Sequence, residues 1–220
     1  MGASPFLRRA RVTLITAGLL LSPGGRHATA VSSSSDWDRL ARGILSETNE
    51  VRRDPEGYAR LLEQLLPRFE GALLDRPGRR ALRTEEGARA VREAVRVLRD
   101  TRAMGGLTWS KGMAAGARDH VRDQGPTGGM EHRGRDGSSP AQRVTRYGRW
   151  HVGVAENIAF GENPAREVVI QLLVDDGVPD RGHRKTILDR SFGVAGVACG
   201  PHAEYEQMCV IDYAVRFSER

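Results

Sequence analysis

The sequence predicts a single α+β domain, and three observations carry that prediction. Apolar residues recur at helical spacing through most of the first two thirds of the chain, at 37–51, 58–66, 88–98 and 113–121. Strict two-residue alternation then appears at 152–160, with two further strand-like stretches at 193–199 and 209–215. No internal repeat and no low-complexity tract interrupts this order of helices first and strands mixed with a helix afterwards, the pattern of an α+β layer arrangement.

In chain order, the first segment reads as an address. Arg8, Arg9 and Arg11 precede an apolar run at 12–21, and Ala28-Thr29-Ala30 offers a small-x-small cleavage site. A signal peptide at 1–30 and a single mature domain at 31–220 are expected. The apolar run is too short to span a bilayer, and no cysteine behind it could take a lipid. The expectation is therefore a secreted protein, extracellular or periplasmic, without a membrane span. Of 220 residues, 34 are basic and 28 acidic, a net charge of +6. Four arginines and no acids lie in 1–30, which leaves 30 against 28 for the mature chain. With that near balance, nucleic-acid binding loses its main support. The roughly 190 residues that remain suit one domain with a sizeable core.

Asp36 can cap a first helix whose inward positions are Trp37, Leu40, Ile44, Leu45, Thr48 and Val51. Pro55 interrupts it. Tyr58, Leu61, Leu62, Leu65 and Leu66 form a second stripe that ends at Pro67, and 67–83, rich in Arg, Pro and Gly, reads as a loop. A third helix from Thr84 turns Ala88, Val91, Val95 and Leu98 inward and a run of arginines outward, as a solvated face. Gly105 and Gly106 break the chain. Ser110 then caps a helix through Gln124, with Met113, Ala114, Ala117 and Val121 apolar and His120 at the border as a packed bystander. A Gly-rich loop carries His132, and Ser139-Pro140 starts a short helix, so that capping is the plain role of Ser138 and Ser139. Cys199 and Cys209 end and begin the last two strands, and an oxidising compartment permits a disulfide between them. Nothing about them resembles a cysteine-based zinc site.

The span 152–188 holds the oddly placed charges. Alternation puts Val152, Val154, Glu156, Ile158 and Phe160 on one strand face, where an unpaired Glu156 would be costly. A helix follows, with Asn163 as N-cap and Pro164 at its first position. Its stripe of Val169, Leu172 and Leu173 extends to Asp176, while Asp175 falls beside Gln171 on the wetter side. Carboxylates at the negative end of a helix call for a cation or a donor nearby. Gly177, Val178 and Pro179 stop the helix, and His183 follows in a tight turn.

Six stretches, in order, resemble the CAP superfamily of cysteine-rich secretory, antigen-five and pathogenesis-related proteins, in its bacterial SCP-like secreted branch. They are WSKGMAAGARDHVRDQG, EHRGRDGSSPAQR, VAENIAFG, VVIQLLVDDG, RGHRKTIL and CVIDYA, and the likeness runs over about 44–215. It implies an α–β–α sandwich around a central antiparallel sheet, with a shallow cleft lined by two histidines and two acids. Carried over position by position, these are His132, Glu156, Asp176 and His183. The chain departs from the family pattern at Ala155 for a usual Gly, Leu173 for a Trp, Asp176 for a longer Glu and Thr186 for an Asn, and 67–106 is longer than in compact members.

Two histidines with two carboxylates suit a divalent metal such as Zn²⁺, with His132 and His183 as ligands and the carboxylates behind them. The bland alternative is a hydrogen-bonded network joining loop, strand and helix. One reading is a non-catalytic secreted domain, expected as a monomer, for which the resemblance implies a small apolar ligand or a protein partner at the cleft. A hydrolase is the other reading, in which Ser138 or Ser139 attacks, His132 is the base and Glu156 orients it. Against it, both serines precede a proline at a helix start, and no nucleophile elbow is present.

Overall fold

The computed structural model describes residues 33–220, so the expected signal peptide at 1–30 lies outside the described residues. Helix α1 (Ser34–Arg53) begins with a capping box: the Ser33 N–H donates to Asp36 Oδ2 at 3.0 Å, and the Ser33 hydroxyl to the same oxygen at 2.8 Å. Its stripe of Ala41, Ile44, Leu45, Thr48 and Val51 is buried. Helix α2 (Pro55–Glu63) starts where Asp54 accepts the Gly57 N–H and Pro55 fills the first position. The stretch expected as loop instead makes a 3-10 turn and a three-stranded meander of β1 (Phe69–Glu70), β2 (Leu73–Leu74) and β3 (Leu82–Arg83). Strands of two residues are too short to leave a period in the sequence. Helix α3 (Ala88–Asp100) buries Ala90, Val91, Ala94, Val95 and Leu98 and leaves Arg89, Arg92, Arg96 and Arg99 exposed.

After β4 (Thr108–Trp109), α4 (Lys111–Gln124) is capped by Ser110, whose hydroxyl accepts the Met113 N–H at 3.0 Å. Then come α5 (Pro140–Thr145), β5 (Gly148–Phe160), α6 (Ala165–Val174), α7 (Gly182–Ile187), β6 (Val194–His202) and β7 (Glu206–Glu219). His183 sits inside α7 rather than in a turn. The main sheet has the order β4-β6-β7-β5. It is antiparallel except for the two-residue pairing of β4 with β6.

Helices cover both faces of this sheet, which makes the fold an α–β–α sandwich. Alternation along β7 divides the core: Cys209, Ile211 and Tyr213 join α1, α2, α3 and α6, while Met208 and Val210 meet Ala117 and Val121 of α4. Gly196 lets α4 lie directly on the sheet, because a Cβ there would collide with the Ala114 backbone N. Cys199 and Cys209, directly opposed in the β6–β7 ladder with Cα atoms 4.1 Å apart, form a disulfide on the α1 face. Strand β5 is an edge strand. A bulge between His151 and Val154 breaks its alternation, so Val152 (φ +74°) is 76% exposed instead of sharing the face of Val154. From Val154 onward the expected face holds, and Glu156 points under α4 with Ile158. No described helix is long and apolar enough to cross a membrane.

Candidate functional site

Strand β5 carries Glu156 and Asn157 at adjacent positions, so their side chains leave by opposite faces. On the α4 face Glu156 is 1% exposed, and both its oxygens are taken. His132 donates Nδ1–H to Oε1 at 2.8 Å, and Arg143 of α5 donates Nη2–H to Oε2 at 2.6 Å. Arg143 also donates to the carbonyls of His132 and Ser138, at 3.0–3.1 Å, and so ties the loop that bears His132 to the pair it serves. Burial pushes the Glu156 carboxyl up, but the hydrogen bond from His132 and the charge of Arg143 outweigh it, and the group lies below its usual range. His120 of α4 hydrogen-bonds the Glu131 carbonyl through Nε2 at 2.8 Å, which steadies the same loop. Its burial lowers its proton affinity.

The second pair lies at the joint of α6 and α7. Helix α6 ends at Val174, and Asp175 adopts a left-handed conformation, φ +54°. Its carboxylate accepts Nδ1–H of His183 at 2.7 Å and the backbone N–H groups of His183 and Arg184 at 2.9 and 3.3 Å, donors that a helix start leaves open. The carboxylate beside His183 is thus Asp175, not Asp176. The helical phase that pointed to Asp176 stops at Val174, two residues before it. Asp176 instead accepts the N–H groups of Glu85 and Glu86, at 2.6 and 2.9 Å, in the turn ahead of α3.

Around this joint Arg181, itself at φ +52°, bridges Glu86 and Glu93 of the α3 segment and donates to the Asp175 and Val178 carbonyls. Arg184 donates to Glu93 and to the Leu173 and Val174 carbonyls that end α6. The long 67–106 segment therefore supplies the acids that hold α7 in place. Asn157 completes the link, donating its amide to the His183 carbonyl at 3.2 Å.

So the structure brings His132 to Glu156 on the edge strand, and His183 to Asp175 at a helix joint that Asn157 of the same strand ties down. His132 is 43% exposed and His183 21%. Neither Nε2 finds a hydrogen-bond partner among the described residues. Arg143, Asp175, Arg181 and Arg184 were not foreseen. The Ser139 hydroxyl caps α5 by accepting the Gln142 N–H, Ser138 is buried with its N–H on Asp136, and neither hydroxyl meets a histidine. Among the described residues no group of three or more His, Cys, Asp or Glu is arranged to hold a metal ion.

The sequence model of the cysteine-rich secretory protein family, CAP, matches residues 89–213. Among solved structures, an outer surface protein from Borrelia burgdorferi is similar at 17% identity, covering 50% of this chain and 78% of that one with a TM-score of 0.43. An extracellular protein containing a SCP domain from Bacillus anthracis str. Ames is similar at 20% identity, covering 55% of this chain and 36% of its own length, TM-score 0.39. No curated protein matches.

Proposed function

Because this chain belongs to the cysteine-rich secretory protein (CAP) family, we propose that it is a secreted, non-catalytic binding domain whose cleft lies along the outer edge of β5. One observation carries the reading: two histidines at that edge each commit Nδ1 to a buried carboxylate and keep Nε2 free. A carboxylate behind Nδ1 fixes the tautomer and leaves the lone pair of Nε2 outward, as in a ligand-ready imidazole. The occupant is a small apolar molecule or a protein segment, with a divalent ion such as Zn²⁺ taken by His132 and His183. Two protein ligands leave coordination positions open, so ion affinity is modest beside a four-ligand structural site. The hydrolase reading is weaker, since the serine hydroxyls cap a helix or lie buried away from both rings.

Calorimetric titration of the mature protein with Zn²⁺, alongside the double variant His132→Ala plus His183→Ala, tests the site. Heat from the wild type and none from the folded variant is expected. Equal heats from both remove the two histidines as ligands. Absence of heat from a folded wild type removes the ion and leaves two hydrogen-bonded pairs that order the cleft.

A further inference from the structure

We infer that Asp212 is a hidden third member of the first pair: a neutral carboxylic acid that donates its proton to Glu156, so that two buried carboxyls share one negative charge. Glu156 and Asp212 are directly opposed in the β5–β7 ladder, hence on the same face with their Cβ atoms about 5 Å apart. Asp212 is 0% exposed, and α4 closes over it, pressed onto Gly196, its other ladder neighbour. Taken as ionised, both its oxygens are buried without any hydrogen-bond partner among the described residues. No other described residue carries two such atoms, and a bare carboxylate is the most costly group to leave that way.

The charges around it decide the protonation. From β5 comes the Glu156 carboxylate, from α5 the Arg143 guanidinium, from α4 His120 and from the preceding loop His132, while β6 offers only Gly196 and Ala198 on this face. Burial lowers the proton affinity of His120 and so favours its neutral ring. Arg143 is then the one fixed cation, and it already bonds Glu156 at 2.6 Å. A second anion would have to share Arg143 with Glu156 and would receive no hydrogen bond from any described donor. A neutral Asp212 has an O–H to give, and Glu156 keeps a free lone pair on each oxygen after His132 and Arg143 are served. Consistent with this, burial and the Glu156 charge push the Asp212 carboxyl well above the usual carboxylate range. Asp212 is thereby a positioning residue. It anchors the carboxylate that orients His132, from a strand in the centre of the sheet.

The inference deepens the proposed reading and takes from it only that His132 faces a ligand; the proton itself does not depend on what the cleft binds. Carboxyl ¹³C NMR of the wild type, labelled at aspartate, should show one resonance in the protonated position at neutral pH, and Asp212→Asn should remove it. The folded state then holds one proton more than the unfolded chain above the ordinary Asp range. The folding equilibrium constant of the wild type should therefore fall about tenfold more per pH unit than that of Asp212→Asn between pH 5 and the point where Asp212 ionises. A spectrum with every aspartate ionised at neutral pH overturns the proposal, with no need for the variant to fold. If the variant folds, equal pH slopes overturn it as well. Failure of Zn²⁺ binding leaves the resonance untouched, so the two readings fail separately.

Discussion

His132 is held by a long strand of the sheet and His183 by the ends of two helices. Glu156 sits in a 13-residue strand paired over most of its length with β7, and what it needs there is a cation brought from elsewhere, Arg143. Asp175 sits where α6 has just ended, and most of what it needs is local: the open N–H groups of His183 and Arg184 at the start of α7 and the imidazole of the same His183. The same chemistry, imidazole against carboxylate, is therefore reached by a long-range and a short-range route. The first can be lost only with the sheet. The second can open by itself if the acids of the α3 segment release Arg181 and Arg184, since elements with few buried apolar contacts open at lower free energy than the core.

Arg143→Met should break the comparison at its strong end. It leaves Glu156 buried with no guanidinium, next to Asp212, and frees the His132 and Ser138 carbonyls. Removing one partner of a buried pair costs about 3–5 kcal/mol, and urea unfolding should show the loss as a lower midpoint with the whole domain unfolding in one step. A loss below about 1 kcal/mol would mean that the strand neighbours, rather than the ion pair, keep Glu156 in place.

Acid should sharpen the comparison at the other end. Hydrogen bonds from Arg181 hold the Glu86 and Glu93 carboxyls down at about 2. Because these folded values are depressed, the stability they contribute is present above the ordinary glutamate range, near about 4.3, and is lost as pH falls toward 2. Amide exchange of 182–187 should accelerate over that window before exchange in β7 does. Glu93→Gln should remove part of that acid response, at some cost to α7 at neutral pH. Simultaneous loss in α7 and β7 would show that the two sites are one cooperative unit.

How far the sequence reaches follows the same division. Period two persists along β5, so Glu156 stood out on an apolar face before any contact was known. The bulge at Val152 is invisible because one extra residue leaves no mark on composition. Helical phase is reliable only while the helix lasts, which is why it chose Asp176 over Asp175: the chain turns left-handed at 175. His132 has no periodic context: only its polar loop and the resemblance point to it. The buried arginines were out of reach altogether. Arg52 gathers the carbonyls of Gly105, Ile187, Asp189 and Phe192, yet in sequence it looks like its exposed neighbour Arg53. A guanidinium buried for its donors differs from a solvated one only by what surrounds it in three dimensions.

The smallest expected effect separates two adjacent carboxylates. Asp176 accepts two N–H groups in the turn before α3, a cap-like role, and touches neither histidine. Asp176→Ala should cost about 1 kcal/mol, the usual value of a lost cap. Since that turn also carries Glu86, some of the loss should appear as faster exchange at the start of α3. The ring of His183 should not notice: its ¹⁵N shifts should match wild type, because Asp175 still receives Nδ1–H. Asp175→Ala, by contrast, should move those shifts, as the tautomer loses its anchor while the ring stays 21% exposed. If the two variants trade outcomes, with Asp176→Ala disturbing the ring and Asp175→Ala leaving it alone, then the helix does continue past Val174 in solution, and the phase read from the sequence describes this joint better than the left-handed turn.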